Sequence, residues 1–383
     1  SLHQSTLQRA FGVATISMTT AVGQEPEVEL SVIALKTAVA MEALINARNQ
    51  STQAGWHADG DVLILAMPLS DAIRLGIISP KSFAVLGLAA VGFFSSRPER
   101  YVPAARAFFD DVLRPMGTGV AVIAVVAFLV LLSRLVSVVM AVLQYQGFRL
   151  SRAGALLTVE RGLLARWRTS VSQNRIQKLT MYEGPMHRWL KRRSVKAATT
   201  EPSGLHRLFR PLAPLASRAA CESLIDTIFP QSDWLSMTWK SLHTSAAFRF
   251  LLQTIVPVAI TIITIEWATA SWKLPAAILL AIAGFSAWKQ ARHAGYAFDG
   301  NVIAVRDGYW FKRWRVAQLD RLQVLALSRS PLDRLFGTST LQLDIPSNQP
   351  LARVFSIRFL PEDDASCLFQ RIGGLLSKKN FRR

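Results

Sequence analysis

Residues 154–179, GALLTVERGLLARWRTSVSQNRIQKL, return as residues 300–325, GNVIAVRDGYWFKRWRVAQLDRLQVL, at a constant offset of 146. Gly154, Val159, Gly162, Arg175, Gln177 and Leu179 fall on Gly300, Val305, Gly308, Arg321, Gln323 and Leu325, and the match runs on through Pro185 and Pro331, Arg188 and Arg334, Cys221 and Cys367. A third, shortened copy opens the chain: Ser5, Leu7, Arg9, Phe11, Gly12 and Thr15 stand 325 residues before Ser330, Leu332, Arg334, Phe336, Gly337 and Thr340. Self-similar units of about 80 residues, separated by long apolar stretches, mean one small domain used three times. The first copy lacks a front half and the chain does not begin with Met, so an N-terminally truncated sequence is expected.

Periodicity within the unit predicts strands followed by one helix. Leu156–Val159 and Leu163–Trp167 flank Glu160, Arg161 and Gly162, while Val302–Val305 and Tyr309–Trp314 flank Arg306, Asp307 and Gly308; both read as hairpins whose turn needs glycine. Leu341, Leu343 and Ile345, then Phe355, Ile357 and Phe359, alternate with polar residues, the pattern of strands with one buried face. Pro361 and the acids Glu362, Asp363 and Asp364 then open a helix, with Ala365, Leu368, Phe369, Ile372 and Leu376 on one face. Ala219–Phe229 and Ala34–Ile45 play that part in the other copies. The unit is therefore a small β-barrel or sandwich closed by a C-terminal helix.

Three details of the repeat carry expectations of their own. Lys191 stands where Gly12 and Gly337 stand, and since Lys resists the positive φ that glycine allows, the second copy's turn is expected to differ. The matched Cys221 and Cys367 suit small buried positions. The recurrent Arg9, Arg188 and Arg334 suit guanidinium groups tying down backbone carbonyls.

The chain is 51% hydrophobic, which places membrane segments first among the explanations of its composition. Residues 117–143 contain one charge, Arg134, and are long enough to cross a hydrocarbon core of about 30 Å. Residues 250–272 form a second span, with Pro257 inside and Glu266 toward the far end; 77–96 and 274–288 are weaker segments, one short loop away from each. Paired as hairpins, 77–96 with 117–143 and 250–272 with 274–288, they leave all three units on one side. Residues 161–210 carry 12 Lys and Arg against two acids, which makes that side cytoplasmic by the positive-inside rule. The net charge of +19 is explained the same way, and a nucleic-acid partner is not expected. Arg134 and Glu266 are the intramembrane polar candidates; snorkelling to the interface is the simpler reading of both.

The order T-V-x-R-G-L-L at Thr158–Leu164, R-I-Q at Arg175–Gln177 and S-P-L-x-R-x-F-G at Ser330–Gly337 resembles the bacterial PH-like membrane-flanked domains of the YdbS/YdbT type, closest to the longer, YdbT-type member. The resemblance covers nearly the whole chain. It implies an α+β membrane protein of the bacterial cytoplasmic membrane, with PH-like modules alternating with transmembrane hairpins, and a smaller family member as partner in the same membrane. The modules are laid out as the end of a first at 1–52, linker and hairpin at 53–143, a second at 144–231, linker and hairpin at 232–291, a third at 292–377 and a basic tail at 378–383.

No nucleophile elbow, phosphate loop, recurring pair of acids or metal-ligand spacing stands in the sequence, so neither catalytic residues nor a cofactor or metal is expected. The candidate contact residues are basic clusters with interleaved aromatics: Arg166, Trp167 and Arg168; Lys191, Arg192 and Arg193; Lys312, Arg313, Trp314 and Arg315. Beside an anionic leaflet each cation contributes about 1 kcal/mol. The expected function is a non-catalytic membrane scaffold whose modules bind a partner protein or anionic lipid headgroups. The alternative is a component of a transport, export or resistance system.

Overall fold

The computed structural model describes residues 2–4, 8–9, 11–18, 28–38, 40–41, 62–79, 117–199, 210–230, 236–268, 273–322, 324–344 and 354–380, with isolated positions at 87–115 and at 234. The first copy contributes β1 (Leu2–Gln4), β2 (Val13–Met18) and β3 (Val28–Ala34). After β4 (Val62–Ala66), α1 (Leu69–Ile78) and α2 (Thr118–Tyr145), the second copy supplies β5 (Arg149–Ala153), β6 (Leu156–Arg161), β7 (Arg166–Ser172), β8 (Ile176–Glu183), α3 (Pro185–Trp189), β9 (Arg192–Thr199), β10 (Arg210–Ser217) and α4 (Arg218–Ile228). Then β11 (Lys240–Ser241), α5 (Ala246–Ala268) and α6 (Lys273–His293) lead to the third copy. Its elements are β12 (Gly295–Asp299), β13 (Val302–Asp307), β14 (Lys312–Gln318), β15 (Val324–Ser328), α7 (Pro331–Leu335), β16 (Thr338–Asp344), β17 (Val354–Pro361) and α8 (Glu362–Asn380).

A complete unit is two antiparallel meanders, a front one (β5–β7) and a back one (β8–β10), closed by a helix (α4). Leu150, Leu157 and Val171 from the front, Leu179, Met181 and Val195 from the back, and Leu224 and Ile228 from the helix meet in one core. The third unit repeats this with Ile303, Val305 and Ala317 against Leu341, Leu343, Phe355 and Ile372.

The sheets cross the boundaries between units. One seven-stranded sheet runs β3-β2-β1-β7-β6-β5-β4 and another β10-β9-β8-β14-β13-β12-β11, so the back meander of each unit is continued by the front meander of the next. Both junctions use the same repeat positions. Met181, Tyr182 and Glu183 of β8 pair with Trp314, Arg313 and Lys312 of β14, and Leu2, His3 and Gln4 of β1 pair with Arg168, Trp167 and Arg166 of β7. The recurrent arginine closes each junction. Arg188 donates Nη2 to the Tyr309 carbonyl and, at 2.6 Å, to that of Trp310; Arg9 donates Nη1 to the Leu163 carbonyl at 2.6 Å. Leu163 and Tyr309 are repeat equivalents, so the carbonyls tied down belong to the next unit.

Three local expectations are corrected. Lys191 has φ 52°, beside 65° at Gly12 and 60° at Gly337, and its N–H bonds the Arg188 carbonyl as Gly12 N–H bonds that of Arg9. The turn is the same in all copies because its surroundings impose the left-handed conformation on a lysine. The second strand of each hairpin starts at Arg166 and Lys312, leaving Leu163–Ala165 and Tyr309–Phe311 in the turn. Finally, Cys221 is buried and Cys367 exposed. The stretch from the start of β9 to the end of β10 is two residues longer than that from the start of β16 to the end of β17, and two residues are about 200° of helix. The structural counterparts of Cys221 are therefore Ala365 and Ala38, each at 0% exposure.

Among the described residues one helix, α2, is long and apolar enough to cross a membrane, over Gly119–Tyr145. Most of the expected 77–96 segment lies outside the described residues; α1 ends at Ile78, where that segment starts. Of the second expected pair, most of 250–272 lies in α5 and all of 274–288 in α6, and the two helices pack on each other. Glu266 lies in α5, and its side chain is outside the described residues.

Candidate functional site

At the C-terminus of α2, the hairpin turn of the second unit folds back against the helix end. Gly162 N–H bonds the Gln146 carbonyl at 3.1 Å and Leu163 N–H that of Leu143 at 3.0 Å. Gly162 has φ 107°, and a Cβ there would meet the Ala165 carbonyl oxygen at 2.0 Å, so the turn requires glycine. Leu163 and Leu164 remain exposed, and the Arg161 guanidinium lies 5.6 Å from the Tyr145 ring.

The third unit places the equivalent turn against α6. Trp310 donates its indole N–H to Ser286 Oγ at 2.8 Å, and Tyr309 packs edge-on to Phe285. Lys289 and Arg292 sit over Trp288 at 5.1 and 4.3 Å. Trp310 is 46% and Phe311 69% exposed. The turn thus presents large apolar groups next to a helix whose aromatic rings carry stacked cations.

A cleft of about 660 Å³ opens between α1, α2 and the back meander of the second unit. Leu75, Ile78 and Met140 give it an apolar wall; Glu183, His187 and Lys196 stand at its polar end. Burial lowers the His187 pKa, with Glu183 opposing, and burial likewise lowers that of Lys312 at the cleft edge.

The sequence candidates divide between surface and seam. Arg166, Trp167, Lys191 and Arg313 are exposed, while Arg168, Arg192, Lys312 and Arg315 are half-buried. Arg193 and Trp314 are buried in the second junction, the guanidinium 4.7 Å from the ring and paired with Glu183 at 2.6 Å and Glu222 at 3.2 Å. Arg192 faces Asp71 of α1 at 3.3 Å, Arg168 faces Glu160 at 3.2 Å, and Arg313 and Arg315 share Asp307. Arg134 donates Nη1 to the carbonyls of Ile77 at 2.8 Å and Ser79 at 3.3 Å, capping the C-terminus of α1. Gly76 allows this approach, since a Cβ there would lie 2.4 Å from Val138 Cα. Leu163, Leu164, Trp310 and Phe311 are functional candidates that the sequence reading assigned to strands. Their signal was an apolar run directly after a turn glycine.

The bacterial PH domain family model matches residues 84–230 and 248–375. This chain belongs to the bacterial PH domain family. The bacterial PH domain matches each extend from a helical region through a complete two-meander unit to its closing helix, which is the repeat seen in the fold. No curated protein and no solved structure matches the chain. Cys, His, Asp and Glu form no group fit to hold a metal among the described residues.

Proposed function

We propose that this bacterial PH domain protein is a non-catalytic, multi-pass scaffold of the YdbT type in the cytoplasmic membrane. Its modules form one platform on the cytoplasmic side, seated on anionic headgroups and presented to a partner protein. The observation that carries the reading is the pair of equivalent turns, with Leu163, Leu164, Trp310 and Phe311 exposed beside α2 and α6, whose own aromatic residues Tyr145, Phe285 and Trp288 carry the stacked cations Arg161, Lys289 and Arg292. Apolar tips enter the headgroup region and the cations meet lipid phosphates there. The cleft beneath α2 adds an apolar slot with a cationic edge, suited to an acyl chain or an apolar partner segment. Strand pairing across units gives the platform one rigid geometry, which a scaffold needs. The transport reading gains no support from Arg134, whose guanidinium braces α1 against α2.

The test is tryptophan quenching in vesicles of brominated phosphatidylglycerol holding the full chain. Quenching is expected to fall in Trp310→Phe and to be unchanged in Trp314→Phe, and to weaken when the brominated lipid is phosphatidylcholine and Lys289 and Arg292 are replaced by Glu. Equal quenching in the wild type and Trp310→Phe would remove the basis of the proposal.

A further inference from the structure

Among the described residues, two of the three back meanders are extended by a front meander, and the third is not. Among the described residues β15 pairs only with β16, in a sheet of three strands ordered β15-β16-β17. Its counterpart β8 is buried at seven of eight positions, whereas Val324 is 52% exposed and Leu325–Ser328 are half-buried. The parts that close the two filled junctions recur here. Leu327, Ser328 and Arg329 occupy the repeat positions of Met181, Tyr182 and Glu183, and Arg334, exposed, occupies that of Arg188. A twisted sheet edge with a matching guanidinium clamp is the receiving half of a junction formed twice elsewhere in the molecule.

We infer that β15 and Arg334 receive the front meander of a PH-like module from a different polypeptide, added as an antiparallel strand in the register of the two internal junctions. The charge at one position identifies the occupant further. Gln4 and Glu183 face Arg166 and Lys312 in the filled junctions, but the third unit presents Arg329, held by Glu362 at 2.6 Å. A strand starting with Lys or Arg, as both front meanders of this chain do, meets a like charge there, which disfavours a second copy. The incoming strand should carry a carboxylate at that position and an accessible turn carbonyl, equivalent to those of Leu163 and Tyr309, for Arg334. The inference is compatible with the scaffold reading but fails separately from it, since bilayer contact leaves strand addition untouched.

The experiment uses the full chain in detergent with Cys367→Ser and Ser328→Cys. The probe is a peptide of residues 301–318 carrying Arg313→Cys, either with its own Lys312 or with Lys312→Glu. Disulfide yield is expected to be about tenfold higher for the Lys312→Glu peptide, to invert when Arg329 is replaced by Glu, and to collapse when the peptide cysteine moves to position 314, because a one-residue slip turns it to the other face. Arg334→Ala should lower the yield while leaving thermal unfolding unchanged. Equal yields in both registers, or no inversion with Arg329→Glu, would overturn the proposal. So would amide exchange in the full chain alone showing β15 as protected as β8, which would mean the edge is already covered. Concentration-dependent dimerisation abolished by Arg334→Ala would also overturn it, in favour of a second copy.

Discussion

Arg249, in the first turn of α5, and Asp333, in α7, form a buried ion pair that fixes the third unit to its helical hairpin. The same guanidinium reaches Thr338 Oγ1 at 3.0 Å, and Asp333 completes a capping box with Ser330. Burial alone pushes the Asp333 carboxyl up, but hydrogen bonds from Arg249, Ser330 and Thr338 outweigh it and hold the group at about 2. Removing one partner strands the other charge, so Arg249→Met should destabilise the unit by about 3–5 kcal/mol. Arg249→Met with Asp333→Leu should recover much of that loss. Because the folded pKa is depressed, the stabilisation is present above the ordinary carboxylate pKa and is lost as pH falls toward 2. Urea unfolding of the full chain in detergent at pH 7 and pH 3 measures both effects.

His293 titrates in a separate window. Its ring packs edge-on to Trp314 at 6.0 Å, and burial, then Lys312 and Arg306, lower its pKa to about 4, with Arg188 adding to this and Glu183 opposing. The folded state therefore disfavours the protonated ring. The second junction should be fully stable above pH 6.5 and lose stability progressively as pH falls toward 4. His293→Phe should flatten this dependence without touching the lower Asp333 transition. Amide exchange of β8 and β14 between pH 7 and pH 4.5 reads it directly, after correction for the intrinsic exchange rate.

Backbone geometry gives a graded series. A Cβ on Gly308, at φ 79°, would lie 2.1 Å from the Phe311 carbonyl oxygen, whereas Gly300, at φ 50°, has nothing within 4 Å. Gly300→Ala should cost about 1 kcal/mol, the conformational term alone, and Gly308→Ala several kcal/mol because the turn must rearrange. Lys191→Gly should stabilise the second unit by about 1 kcal/mol by removing the same term. Thermal unfolding midpoints of the three variants give the order.

Much of the unit was legible because its signals are local. Alternation at Leu341 and Leu343, the turn glycines and the acids opening the last helix each depend on a few neighbouring residues, and strands and helix stand there, while Ile345 lies outside the described residues. The junctions were not legible: an internal repeat shows which strands are alike, and strand edges carry no side-chain signature saying which ones meet. The recurrence of Arg9 and Arg188 suits carbonyl binding, but only the fold shows that these carbonyls belong to the following unit. Trp314 looked like a surface aromatic among cations because its burial comes from β8, over a hundred residues away. The pairing of Cys221 with Cys367 misleads for a simpler reason, a two-residue difference in the length of the last two strands and their connection, upstream of the helix.

That difference sets the last expectation, thiol reactivity. Cys221 packs inside the second unit, its Sγ 3.9 Å from the Arg193 carbonyl, and burial pushes its thiol up to about 12, with Arg193 opposing. Only the thiolate reacts with maleimides or iodoacetamide, so a buried thiol raised this far should be inert in the folded chain. Cys367 faces solvent on α8. Mass spectrometry after labelling the full chain in detergent should find the modification at Cys367 alone, with Cys221 joining only in denaturant. Moving the reactive group tests the helix phase itself. In a Cys367→Ser chain, a cysteine replacing Ala365, the counterpart of Cys221, should be as unreactive as Cys221. One replacing Ser223 on the exposed face of α4 should label as readily as Cys367 does. Labelling at position 365 would show that the closing helix sits in the phase the uniform 146-residue offset implies, with the fold's alignment of Ala38, Cys221 and Ala365 in error.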